Sequence, residues 1–191
     1  AFGNVGPDVD EPGHLKSFFD LIQAARADHL LLAYHDRSDG GAFAALCEMA
    51  FASRMGMELN LDAWGDNAFS TRFNEELGAV LQVPRAHREG ILGALKKAGL
   101  TRHAHIIGTL TNDDIISFNH DNREIFYDSR MNLQRAWSET TYCLQSLRDN
   151  PQCAQEEYDR ILDAADPGLS AKLTFDPEEK IAAPYIGRGT R

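Results

Sequence analysis

Cysteine is scarce in this chain, which has three residues (Cys47, Cys143 and Cys153), an odd number without a CxxC pair. That pattern speaks against a disulfide framework or a zinc module, and reduced thiols in the cytoplasm are the expectation. No apolar run approaches the length needed to cross a bilayer. The first residues, Ala1 to Asp8, carry neither the basic region nor the apolar core of a secretory leader. Basic residues are in deficit, 19 against 29 acidic ones, for a formal net charge of −10. Neither nucleic acid nor a membrane is therefore an expected partner, because an anionic surface would be repelled. A magnesium-nucleotide is not disfavoured in the same way, since magnesium takes carboxylate ligands. Internal repeats and low-complexity tracts are also absent.

What is present is an ordinary globular composition, 43% hydrophobic and 25% charged, over 191 residues. That length holds one good-sized domain with extensions, or two small domains. The chain begins without Met and ends in the polar tail Ile186-Gly187-Arg188-Gly189-Thr190-Arg191, so it reads as a piece of something longer.

One stretch stands out. Leu30-Leu31-Leu32-Ala33-Tyr34 is apolar and strand-like, and it runs into His35-Asp36-Arg37-Ser38-Asp39-Gly40-Gly41 and then into a helical pattern. A strand fixes such a turn, glycines let the backbone approach a ligand, and a helix N-terminus offers N–H groups to an anion. The same residues also suit a ligand-free turn, with Ser38 or Asp39 as helix cap and Gly40-Gly41 as a tight bend. Composition alone leaves both readings open.

The remaining periodicities set out the chain. Leu15, Phe18, Phe19, Ile22 and Ala25 predict a helix to about Ala27. A second helix follows from Ala42 to Ala52, stopped by Gly56, and Met57 to Leu61 alternates as a half-buried strand. Asn67 to Glu76 is expected to be helical, Ala79 to Val83 a strand, and Arg85 to Ala98 a helix. His103 to Gly108 reads as a strand that would put His103 and His105 on one face. A hairpin is expected around Asn119-His120-Asp121-Asn122. Beyond Ser129, Met131 to Leu147 and Pro151 to about Ala165 read as helices, and Leu169 onward as an extended linker.

The order of motifs carries more than any one of them. Ala33 to Gly41, Glu48-Met49-Ala50-Phe51-Ala52 and Phe73-Asn74-Glu75-Glu76-Leu77-Gly78-Ala79-Val80 resemble the second synthetase-like half of the large, single-chain phosphoribosylformylglycinamidine synthases. Trp137-Ser138-Glu139-Thr140-Thr141, Leu147 to Pro151, Asp166-Pro167-Gly168-Leu169 and Ala182-Ala183-Pro184-Tyr185-Ile186 are similar to the segment joining that half to a glutaminase domain. The resemblance implies an α+β chain, with a three-layer α/β/α domain like the C-terminal domain of aminoimidazole ribonucleotide synthetase. It implies that domain at 1–129, a helical extension at 130–166 and a linker at 167–191.

It further implies part of an ATP- and glutamine-dependent ligase that makes formylglycinamidine ribonucleotide from formylglycinamide ribonucleotide. The cofactors implied are Mg2+ and ATP or ADP, in a structural site and not the catalytic one. On this resemblance Asp36 is a magnesium ligand and Ser38 contacts the nucleotide. None of this chain's residues is then catalytic, His35 orients or packs, Asp39 caps the following helix, and the isolated piece is inactive. Glu75 and Glu76 are read as structural, with Glu75 the better placed to reach a domain interface. The remaining magnesium ligands and the partners, the first synthetase-like half and the glutaminase domain, would lie elsewhere on the same polypeptide. Two other functions compete: a self-contained ATP-using kinase or synthetase, and a noncatalytic interaction module docking through residues 131–165. No second acidic cluster or glycine-rich phosphate loop is present to complete a magnesium-ATP site within the chain.

Overall fold

The computed structural model describes residues 8–9, 11–65, 67–180 and 182–186. Of the loop that the Gly and Pro content of Ala1 to Gly13 predicts, residues 1–7 and 10 lie outside the described residues, as does the tail at 187–191, and the loop's last two residues, Pro12 and Gly13, belong to a helix.

Helix α1 (Pro12–Ala27) places Pro12 at its first turn, where the missing N–H has no helical partner to lose. It leaves through His29 at φ 54°, with the Leu30 N–H returned to the Ala25 carbonyl at 2.9 Å. That exit commits Leu30 and Leu31 to packing beside α1. The first strand, β1, therefore spans Ala33–Asp36 and not the expected Leu30 to Tyr34.

Helix α2 (Gly41–Ser53) is rich in small residues and buries Ala42, Ala45, Leu46, Cys47 and Ala50. Arg54, at φ 55°, makes its left-handed exit, and Gly56 opens strand β2 (Gly56–Asn60) instead of ending the helix. Helix α3 (Ala68–Phe73) is capped by Asn67, whose side chain accepts the Phe69 and Ser70 N–H groups at 3.1 Å. It stops short of the expected Glu76 because the Asn74 carboxamide turns back to accept the Glu76 N–H at 2.7 Å. Glu75 and Glu76 thus sit in a loop. Strand β3 (Ala79–Gln82) and helix α4 (Arg88–Lys97) follow as expected, the helix entered through a 3-10 turn at Arg85–His87.

The expected strand from His103 to Gly108 is not formed. Thr101–His103 is a 3-10 turn and pairing begins only at Gly108, in β4 (Gly108–Thr111). The reason is the length of the neighbour: β2 ends at Asn60, whose N–H bonds the Ile107 carbonyl at 2.7 Å, so residues before Ile107 have no strand to pair with. His103 packs instead on His14 of α1, ring centroids 5.6 Å apart.

Strands β5 (Ile115–His120) and β6 (Arg123–Ser129) make the expected hairpin. Its two-residue turn, Asp121-Asn122, has both φ angles positive, 52° and 55°, which matches the right-handed twist of the strands. Helices α5 (Arg130–Arg148) and α6 (Pro151–Arg160) follow, the latter ending before the expected Ala165, and the stretch expected as an extended linker contains a 3-10 turn at Ala183–Tyr185. Tyr142 and Tyr158 stack at 4.4 Å between the two, and the Arg135 guanidinium lies 3.5 Å from the Tyr158 ring.

The strands form two sheets. β1 and β3 make an antiparallel ribbon, and the larger sheet runs β4-β2-β5-β6, with β2 and β5 parallel. The architecture is α+β, the expected class. Alternate residues Met57, Leu59, Ile116 and Phe118 point from the larger sheet into the core, against the small-residue face of α2. Phe43 of α2 stacks on Phe118 at 5.4 Å and meets the edge of Phe126 at 5.1 Å. Helix α5 lies beside α2, joined by Phe51 and Trp137 at 5.9 Å. A second cluster, Ala25, Ile91, Leu95 and Leu100, holds α1 to α4. Among the described residues no helix is long and apolar enough to cross a membrane.

Phe118 is fully buried, so Phe118→Ala is expected to lower stability by about 3–5 kcal/mol in urea denaturation, within the range for buried aromatic truncations. Burial, with a smaller effect from Glu48, pushes the Cys47 thiol up to about 12 from 9.0. The neutral thiol's contribution to stability is complete below pH 9.0 and is lost as pH rises toward about 12. In the native chain, a thiol reagent at mildly alkaline pH is expected to modify exposed Cys143 and Cys153 and to reach Cys47 only after unfolding.

Candidate functional site

The site is built where strand β1 delivers its last residues to the start of α2. In the β1–β3 ribbon Asp36 lies opposite Ala79, so the loop 74–78 returns alongside the turn 37–40. Arg37 ties the two together. Its backbone N–H bonds the Gly78 carbonyl at 2.8 Å, and its guanidinium donates to the carbonyls of Glu76 and Leu77 at 2.6 and 3.0 Å. Burial lowers the pKa of this guanidinium, with the nearby Glu76 charge acting the other way. Arg37 is thereby held by the protein's own carbonyls through Nε and Nη2.

Gly40 and Gly41 take φ angles of 77° and 67°, in the region that side chains resist. At Gly41 the reason is also contact: a Cβ there would sit 2.7 Å from the Arg72 carbonyl oxygen and 2.8 Å from the Phe73 carbonyl carbon. Asp39 does not cap α2 as expected. Gly40 occupies the cap position, and its N–H is taken by the Glu75 carboxylate at 2.9 Å. The negative group that an N-terminal dipole attracts is thus supplied from within. Sequence reading missed this role, because nothing local to Glu75 announces it; it exists only once β1 and β3 pair.

Asp36 and Ser38 are both exposed, on the rim of an open groove of about 2150 Å³ that Tyr34, Arg37, Asp39 and Glu75 also line. Among the described residues no hydrogen bond reaches the Asp36 carboxylate or the Ser38 hydroxyl. Tyr34 and Asp36 share one face of β1 by strand alternation. Burial and, second, the Asp36 charge raise the Tyr34 phenol. The structure therefore brings Asp36, Ser38 and Glu75 to one rim. His103 and His105 it does not bring into a ligand pair.

His35 points the other way. Its Nδ1 lies 2.7 Å from the Asp36 carbonyl and its Nε2 lies 2.8 Å from Glu48 on α2. Both partners can only accept from the ring, so the imidazole holds the strand end in place. The second Glu48 oxygen accepts the Trp137 indole N–H at 3.0 Å, which links this turn to α5. Glu48 and Trp137 both stand in motifs read above, but their meeting, across 89 residues, was not legible.

Chemically, the rim is a set of oxygens. With the Gly40 N–H used by Glu75, and the Gly41 N–H bonded to the Ser38 carbonyl at 2.8 Å, the turn offers a cation more than it offers a bare phosphate.

Comparison with known proteins places this geometry in context. Residues 5–121 match the family model described as AIR synthase related protein, C-terminal domain. The chain is similar to the structure of PurLQS from Thermotoga maritima, with a TM-score of 0.57 and 16% identity over 64% of this chain and 22% of that one. It is similar to T. maritima PurL complexed with ATP, at 0.56 and 15%, covering 69% and 24%. For T. maritima PurL complexed with AMPPCP the values are 0.56 and 13%, covering 84% and 31%. At such identities the likeness is one of fold, and the chain spans less than a third of the length of each of these structures.

The contacts at Gly41 generate a direct test. Gly41→Ala adds a left-handed penalty of about 1–2 kcal/mol to the collision with backbone 72–74. A loss of at least about 2 kcal/mol is expected in denaturant melts.

Proposed function

The chain belongs to the family of AIR synthase related proteins, as their C-terminal domain, and on that premise we propose that it supplies half of a structural magnesium-nucleotide site in a phosphoribosylformylglycinamidine synthase. The observation that carries the reading is the Asp36 carboxylate, exposed at the end of β1 beside Ser38, with no hydrogen bond from any described residue. In this reading Asp36 ligates magnesium and Ser38 contacts the nucleotide.

The residues present fit such a group in part. Magnesium takes oxygen ligands and commonly uses one or two carboxylates with phosphate oxygens and water. Asp36 is one such ligand, and among the described residues Glu75, beside it on the groove, is already engaged at the helix start. Magnesium, when bound, would neutralise the nucleotide's phosphate oxygens. The chain's own residues orient: Arg37 and Glu75 hold the turn, and His35 anchors the strand end to α2. None of them is assigned a proton-transfer step.

The rest of the proposal concerns the longer protein. We assign residues 1–129 to the synthetase-like domain, 130–166 to a helical extension and 167–191 to a linker. The first synthetase-like half and a glutaminase domain of the same polypeptide would be the partners. Apolar side chains exposed along or beside the groove, Phe19, Leu32 and Ile106 among them, are a surface such domains would cover. The whole enzyme would convert formylglycinamide ribonucleotide, ATP and glutamine to formylglycinamidine ribonucleotide in the cytoplasm. The groove and the exposed Asp36 also support this reading over a self-contained kinase, which needs a complete metal-phosphate site of its own.

Two measurements test it. Calorimetric titration of this chain alone with magnesium-ADP is expected to give weak binding or none; submicromolar affinity would contradict the half-site. In the full-length enzyme, Asp36→Asn is expected to weaken ADP retention at least about tenfold, since even outer partners of a metal are worth about 10- to 100-fold. The melting temperature should fall while turnover chemistry changes less. A variant that kept its ADP and its melting temperature would remove Asp36 as a ligand.

A further inference from the structure

At the carboxyl ends of the parallel strands β2 and β5 lies a second group of side chains, independent of the Asp36 turn. Asp62 begins the 3-10 turn after β2, and His120 and Asp121 stand at the end of β5 and in the hairpin turn. One donor atom from each of the three lies within 4.8 Å of the other two. The crevice beyond the carboxyl ends of parallel strands is where open α/β sheets place ligands.

His120 supplies the decisive detail. It is 6% exposed, and its Nε2 lies 2.9 Å from the Gly65 carbonyl. A carbonyl can only accept, so Nε2 carries a proton and Nδ1 is the nitrogen turned toward the carboxylates. Nδ1 makes no hydrogen bond with any described residue, yet it faces the Asp121 Oδ2 at 3.4 Å. An imidazole nitrogen this close to carboxylate oxygens calls for a cation or a proton between them. An imidazole with its far N–H fixed by a backbone carbonyl is also the usual arrangement of a metal-ligating histidine.

The carboxylates are prepared in the same sense. Asp62 accepts the Asp121 N–H at 2.8 Å and the Asn60 amide at 3.1 Å, which holds its carboxylate aimed at the hairpin tip. We propose that Asp62, His120 and Asp121 bind one divalent transition-metal ion, with Zn2+ the fitting probe, and so clamp the turn after β2 to the β5–β6 hairpin. One imidazole nitrogen with two carboxylate oxygens suits zinc and its transition-metal neighbours better than magnesium or calcium. Bonds of about 2.0–2.2 Å in a tetrahedral site set the ligands about 3.4 Å apart, the separation already present between His120 and Asp121. Asp121, 83% exposed in its side chain, is free to turn inward and leaves the fourth position to water.

The experiment is a Zn2+ titration of the intact chain against a chromophoric competitor, with thermal melts and 15N spectra of the histidine rings. Expected are one Zn2+ per chain lost at least about tenfold in affinity in Asp121→Asn, a raised melting temperature in wild type alone, and a shift of the His120 Nδ1 resonance. Asparagine tolerates the left-handed conformation at 121, so that variant should fold. Asp62→Asn provides a second, and His103→Gln, which removes the His14–His103 surface pair, should bind as wild type. Undetectable Zn2+ binding, or equal affinity in wild type and both aspartate variants, would overturn the proposal. So would a His120 ring protonated at both nitrogens at neutral pH and unmoved by Zn2+, which would identify a closed ion pair.

Discussion

The start of α2 is held by a carboxylate from thirty-five residues further along the chain: Glu75 takes the Gly40 N–H at 2.9 Å, while Gly41 lies against the backbone of residues 72–74. That approach needs two glycines in left-handed conformation and a loop returned by the β1–β3 ribbon. Once it is made, α2 can lay its alanine-rich face on the larger sheet, and Phe43 can reach Phe118 and Phe126. Packing at this closeness tolerates little change in side-chain volume.

The same contact decides the chemistry of the turn. Helix N-termini attract anions through free N–H groups and the helix dipole. Here a protein carboxylate already occupies the first of those groups, and Arg37 is bound to carbonyls. What remains exposed is Asp36 and Ser38, oxygen donors at the rim of a wide groove.

Helical periodicity located α1, α2, α4 and α5 to within a few residues, because each has an apolar face that must be buried whatever it packs on. The hairpin at Asp121-Asn122 was legible for a local reason, since those residue types accept positive φ. Errors fell where a distant partner sets the outcome. The stretch from His103 has the alternation of a strand, but β2 ends at Asn60 and offers it no hydrogen bonds. Asp39 looks like a cap, but Gly40 holds the position and Glu75 takes its N–H.

For the site, the residue types of the turn from His35 to Gly41 and their order were written in the chain, and the family resemblance singled out Asp36 and Ser38 among them, both of which are exposed. Local sequence suffices for these because a strand, a glycine pair and a helix follow from nearest-neighbour sterics and hydrophobic spacing. Only the tertiary structure decided that Glu75 would take the Gly40 N–H at the start of α2, that Glu48 would join His35 to Trp137, and that Asp62 would meet His120. Each of those contacts closes a loop of tens of residues, and its geometry depends on which strands pair and in what register, which no local pattern encodes.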